Sequence, residues 1–229
     1  METTLHRQLK SLYAGPEART EERLEEYRID AVRNHPGGGL RRRQLVEIQH
    51  GSLAAIRDKI ARLLKKHAVL VVKPLVVRKQ LIKLSKEGGK EVSRRLSPKQ
   101  GTLLDLFDEL VYFTRVFPHP NLTIETPLVE VEETRYPGHG KRRRWRRRDH
   151  VVADQRLTAV LSVHRFCEVG DLLALLPGDL PQPFHTGELA ERMQIQRWVA
   201  QRIAYCLRKT GAARVCGKRG NAILYQRAA

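Results

Sequence analysis

The chain has 229 residues, 41% of them hydrophobic, and sets 43 Lys and Arg against 25 Asp and Glu for a formal charge of +18. That composition excludes wholesale disorder and leaves room for one large domain or two small ones. A charge of this size calls for a polyanionic partner, nucleic acid first. The three cysteines, Cys167, Cys206 and Cys216, are spaced for neither a disulfide framework nor a zinc site, and they read as buried thiols in a reducing compartment. No signal-like apolar core opens the chain and no apolar run approaches the ~20 residues of a membrane span, so a soluble cytoplasmic protein is expected.

Leu5, Leu9, Leu12 and Tyr13 fall at helical spacing, and Gly15-Pro16 stops that helix. Glu17 to Glu26 is a charged strand or loop. Tyr27 to Val32 reads as a strand, His35 to Gly39 as a turn, and Leu45 to Gln49 as the returning strand. Alternation puts Leu45, Glu47 and Gln49 on one face of it. Ser52 caps a helix running to Lys66, with Leu53, Ile56, Ile60, Leu63 and Leu64 inward and Arg57, Lys59 and Arg62 mostly outward. Ala68 to Val72 is apolar throughout, as in a strand covered on both faces. Leu81 to Lys90 is a hairpin or a helix end, Thr102 to Thr114 a helix, and Leu122 to Thr134 a strand. Gln155 to Phe166, Val169 to Leu176, Thr186 to Met193 (capped by Thr186) and Arg197 to Thr210 are predicted helices. Ala213 to Cys216 and Ala222 to Gln226 are predicted strands.

Asp30 and Glu47 stand inside two apolar strands, where an unpaired carboxylate is costly. Brought together they form a metal site: Mg²⁺ (or Mn²⁺) takes one or two carboxylates, with water and substrate phosphate completing its shell. The Ile48 carbonyl is a third oxygen. Exposed edge positions, or salt bridges to the nearby arginines, are the alternative use of the two acids. His50 and His6 are read as exposed histidines with a lesser claim on phosphate or proton transfer.

From the first helix to Val77 the pattern resembles the PD-(D/E)XK nuclease superfamily: helix, antiparallel strands carrying Asp and then Glu-x-Lys, helix, strand. Arg28-Ile29-Asp30-Ala31 and Val46-Glu47-Ile48-Gln49 carry the likeness. It implies metal-dependent phosphodiester hydrolysis with Asp30 and Glu47 as metal ligands and Gln49 as the water-positioning residue. Gln49 departs from the usual lysine, and Lys59 or Lys73 is a candidate for the displaced cation. The first-helix acid of the family has no clear counterpart here.

Lys141 to Arg148 packs seven cations around Trp145, a phosphate-binding run in which Arg142, Arg143, Arg144, Trp145, Arg146 and Arg147 are candidate contacts. Residues Val169 to Arg227 resemble a winged helix-turn-helix domain. In it Gln196, Arg197, Gln201 and Arg202 face the major groove, and Lys218 and Arg219 form the wing. The expected architecture is an α+β, restriction-endonuclease-like core with a mixed sheet (1–150) and a mainly helical winged-helix domain (155–229). The expected function is a Mg²⁺-dependent DNA endonuclease on double-stranded DNA, with a homodimer left open. A non-cutting DNA-binding regulator and an RNA-binding factor are the competing readings.

Overall fold

The computed structural model describes residues 3–34, 43–138 and 150–228. Helix α1 (Thr4–Ala14) starts on Thr3, whose hydroxyl accepts from the His6 N–H. Strands β1 (Arg19–Leu24), β2 (Tyr27–Asn34) and β3 (Arg43–Ile48) form an antiparallel meander. A 3₁₀ turn (Leu53–Ala55) capped by Ser52 leads into α2 (Arg57–Leu63). The expected helix from Ser52 to Lys66 is therefore present but broken at its start. β4 (Ala68–Val72) is buried at every position and runs parallel to β3.

After Lys73-Pro74 the chain continues as β5 (Leu75–Leu84) and folds back as β6 (Glu91–Leu96), the hairpin outcome for that segment. The helix expected over Thr102 to Thr114 is shorter. A 3₁₀ turn leads to α3 (Leu106–Leu110), after which i→i−3 bonds such as Phe113 N–H to Leu110 O take over. That tighter winding turns Phe113, Val116 and Phe117 into the core.

β7 (Leu122–Pro137) is the spine of the fold. It pairs parallel with β4 and then β5, and antiparallel along its whole length with β8 (His150–Phe166). The helix predicted over Gln155 to Phe166 is thus corrected to strand. Leu157, Ala159, Leu161 and Val163 already alternate with period two, and pairing with β7 overrides the helical reading of the apolar content. The basic run Lys141 to Arg148, with its candidates Arg142, Arg143, Arg144, Trp145, Arg146 and Arg147, lies outside the described residues.

The architecture is α+β around one mixed sheet. On one face α1 sets Leu5, Leu9 and Tyr13 against Ala31, Val46, Ile48, Leu70 and Val72. On the other, Ile60 and Leu63 of α2 cover Ile29, Leu45, Val69 and Val71. That second cluster continues without a break into the C-terminal part: α4 (Val169–Leu173), α5 (Thr186–Met193), α6 (Arg197–Thr210) and the hairpin β9 (Ala213–Arg219)–β10 (Ala222–Arg227).

His185, not Thr186, caps α5; its Nδ1 accepts from the Gly187 and Glu188 N–H groups while Glu188 accepts from the His185 N–H. Gly211 ends α6 with φ +84°, a conformation that favours glycine. Of the cysteines only Cys206 is buried; Cys167 and Cys216 are exposed. Among the described residues no helix is long and apolar enough to cross a membrane.

Phe107 of α3 is fully buried in the cluster shared by the sheet and the C-terminal helices, and its carbonyl receives the Cys206 thiol at 3.5 Å. Phe107→Ala is therefore expected to destabilise the whole chain by about 3–5 kcal/mol. The readout is a shift of one cooperative urea transition followed by circular dichroism. Two separated transitions, only one of them shifted, would show that the C-terminal part folds as an independent unit.

Candidate functional site

The ladder between β2 and β3 ends at the Ala31–Val46 pair, while β3 goes on pairing with β4 as far as Ile48–Val72. Beyond that fork the Ile48 N–H has no β2 carbonyl to bond. The Asp30 carboxylate takes its place, accepting from it at 2.8 Å through Oδ2. In return the backbone N–H of Asp30 points at the Glu47 carboxylate. The two acids are thus interlocked through each other's strand.

His6 of α1 closes on Asp30, with Nε2 3.1 Å from Oδ1. Burial alone would raise the Asp30 pKa, but the His6 and Ile48 hydrogen bonds outweigh it and hold the carboxyl below its ordinary range. Glu47 goes the other way. Its side chain is only 6% exposed, and burial pushes its pKa up to about 7 against the opposing charge of Lys59, with the Asp30 charge adding to the rise. The two neighbouring carboxyls thus have divergent acidities.

Lys59 supplies the local cation. Its ammonium lies 2.7 Å from Glu47 Oε1 and donates to the Arg28 carbonyl at 2.6 Å. Lys59 thus compensates the buried Glu47 carboxylate directly. Gln49 follows two residues after Glu47, its backbone N–H donating to Val72 O and its amide nitrogen to Ser52 O at 2.6 Å. His50 sits edge-on to His6 with ring centroids 6.1 Å apart, and burial together with the charges of His6 and Lys73 lowers its pKa.

Lys73 does not reach the acids. Its side chain, 4% exposed, pairs with Glu109 of α3 at 3.2 Å and donates to the His50 and Gly51 carbonyls. Glu109 also accepts from the Leu53 N–H at 2.8 Å, so this buried pair shapes the loop after β3. Among the described residues no three His, Cys, Asp or Glu side chains converge as a metal cage. Asp30 and Glu47 are the two carboxylates of this group that could hold an ion.

Asp30 is tied to the strand of Glu47 through the Ile48 N–H, while the Gln49 amide turns to Ser52 O. Of the two candidates for the displaced cation, Lys59 reaches Glu47, although helical spacing alone sets it on the outward face of α2. In the C-terminal part Gln196, Arg197 and Gln201 lie exposed along α6. Arg202 is tied down instead: it pairs with Asp108 of α3 and stacks over Trp198 at 4.9 Å. Trp198 itself is 55% exposed. Arg219 pairs with Glu188 of α5 at 2.9 Å, while Lys218 is exposed.

The family described as a domain of unknown function (DUF8091) matches residues 3–167. An uncharacterized protein of Treponema pallidum (strain Nichols) is 31% identical over 227 residues, covering 99% of this chain and 85% of the relative's length. No solved structure matches the chain.

The Glu47 acidity has a measurable consequence in metal-free protein. Unfolded, Glu47 loses its proton near the ordinary 4.5; folded, it keeps it to about pH 7. Between those values the folded state binds more protons, so this group's contribution to stability falls as pH rises through the window and levels off above it. Glu47→Gln should remove that slope. In urea titrations at pH 5, 6, 7 and 8 the variant is expected to gain on the wild type with rising pH until about 7. A pH-independent difference would show that Glu47 titrates normally.

Proposed function

The chain belongs to the DUF8091 family, a domain of unknown function, and we propose that it is a Mg²⁺- or Mn²⁺-dependent endonuclease acting on double-stranded DNA. The observation that carries the reading is the interlocked Asp30–Glu47 pair at the β2–β3 fork, with Lys59 2.7 Å from Glu47. The order α1-β1-β2-β3-α2-β4 around it supports a restriction-endonuclease-like core. The order α4-α5-α6-β9-β10 supports a winged helix, as does the Phe184–Tyr225 bridge, which adds a short third strand to the hairpin. The +18 charge supplies the attraction to a polyanion.

Asp30, Glu47 and the Ile48 carbonyl would hold the ion, which when bound polarises the scissile phosphodiester and acidifies a coordinated water. Asp30 is already ionised for that role. Glu47 gives up its proton to take part in it. Gln49, pinned by Ser52, orients the attacking water. Lys59 faces the negative charge that grows on the phosphate and takes the part of the lysine that the family motif sets two residues after its glutamate. On α6, Gln196, Arg197 and Gln201 are the side chains available to base edges, and Lys218 on the hairpin meets phosphate. Arg202 and Arg219 act as braces on Asp108 and Glu188.

Supercoiled plasmid with Mg²⁺ or Mn²⁺ is the test. Wild type should nick or linearise it, and Asp30→Asn should reduce the rate by more than about 100-fold, beyond the 10–100-fold loss of an outer-sphere partner. Lys59→Met should cost about 100-fold or more, as loss of a group that meets developing charge does, with DNA affinity little changed. Cutting that survives Asp30→Asn would remove this assignment. Tight, salt-sensitive binding with no cutting in either metal would leave the regulator reading in its place.

A further inference from the structure

Helix α6 carries four cations, Arg197, Arg202, Arg208 and Lys209, and no acid. Its inner side, Ala200, Ile203, Ala204, Cys206 and Leu207, is buried in the cluster shared with the sheet. An amphipathic helix normally leaves its other side polar. Here the outer side holds two aromatic residues instead, Trp198 at 55% exposure and Tyr205 at 37%.

The two rings are placed by a regular spacing. Seven residues apart, they fall within about 20° of each other around the helix and about 10.5 Å apart along it. Each has a cation from the next turn laid over it. The Arg202 guanidinium stands 4.9 Å from the centre of the Trp198 ring, and the Lys209 ammonium 5.9 Å from that of Tyr205. A ring followed four residues later by a cation thus occurs twice on one stripe.

The two units differ in charge. Asp108 of α3 neutralises Arg202, so that side chain serves to orient the indole. Lys209 pairs with no acid among the described residues, and neither do Arg197 and Arg208, which are exposed beside the ring row. The stripe therefore offers three unanswered positive charges and two accessible rings.

Three free cations call for an anion, and two exposed rings call for something flat to lie against. A nucleic acid supplies both. Paired bases in a duplex turn only their edges to a protein, so a ring can lie on a base face only where the bases are unpaired. We propose that α6 binds an unpaired stretch of a nucleic-acid strand, with bases on Trp198 and Tyr205 and phosphates on Arg197, Arg208 and Lys209. This rests on the nucleic-acid reading of the C-terminal part and not on metal chemistry at Asp30 and Glu47. It narrows the substrate to a duplex that carries a single-stranded tail or gap.

The sequence has two tryptophans, so in Trp145→Phe protein the indole emission reports Trp198 alone. The full chain with this change is titrated in EDTA, where no metal-dependent step runs. The ligands are an oligo(dT) strand, a blunt duplex, the same duplex with a dT tail, and polyglutamate as a model acidic protein surface. Strand and tailed duplex should quench the emission saturably and bind about tenfold or more tighter than the blunt duplex, the scale of one or two stacked bases. Anisotropy of a labelled strand then compares variants whose urea transitions show them folded. Trp198→Ala and Tyr205→Ala should each lose about tenfold in affinity, while Trp198→Phe and Tyr205→Phe keep most of it. Arg208→Gln/Lys209→Gln should lower the log-salt slope by about 1.4, as two phosphate contacts on a single strand require. Blunt duplex binding as tightly as the strand, alanine variants binding the strand like wild type, or polyglutamate as the tighter ligand would each overturn the proposal. Strand binding without plasmid cutting in Mg²⁺ or Mn²⁺ would fault the nuclease reading alone. Cutting without preference for unpaired bases would fault this one alone.

Discussion

The fold turns on where β2 lets go of β3. A buried backbone N–H must find an acceptor, and beyond the Ala31–Val46 pair the Ile48 N–H finds it in a side chain, Asp30. This one substitution of carboxylate for ladder carbonyl opens the fork, aims Asp30 inward and sets Glu47 beside it. The acid is thus part of the fold's own hydrogen bonding as well as of the candidate site. It also explains why an amide is the informative replacement at position 30: Asn keeps an oxygen for Ile48 and changes only the charge, whereas Ala leaves an orphaned donor and disturbs the fork itself.

α3 connects this fork to the rest of the chain through adjacent side chains. Asp108 holds Arg202 of α6, and Glu109 holds both Lys73 and the Leu53 N–H of the loop that follows β3. Phe107, between them and the interior, packs in the cluster that runs from Ile29 to Tyr225. The helix bearing the exposed Gln196, Arg197 and Gln201 is therefore braced against the same short element that shapes the loop carrying Gln49 and His50. A buried pair such as Lys73–Glu109 is poor evidence for added stability, since desolvation offsets its attraction. Its use here is geometric, fixing the Gly51 and His50 carbonyls and with them the start of α2.

Much of this was legible in residue order, and the failures have physical causes. Asp30 and Glu47 declared themselves because a carboxylate in an apolar strand violates the pattern around it. The C-terminal helices and hairpin declared themselves through spacing and Gly211. Lys59 stood only as one of two candidates for the displaced cation and His6 only as an exposed histidine, since each reaches its acid from a helix packed over the strand, and periodicity reports which face a residue occupies without reporting what lies above it. β8 was misread because its apolar residues satisfy both periods over short windows, and only the partner strand decides between them. His185 escaped as a cap because an imidazole nitrogen does the work expected of a hydroxyl or carboxylate.

Strand β7 ties these separate features together. It is one hydrogen-bonded element from the Val72–Glu125 pair, next to the β3–β4 ladder that reaches the fork, to the Lys83–Arg135 pair at the far end of the sheet, paired along the way with β4, β5 and β8. With both edges bonded it has no free ladder to offer and no room to slip in register, so β4, and through it the strands that carry Asp30 and Glu47, are set against a fixed central element.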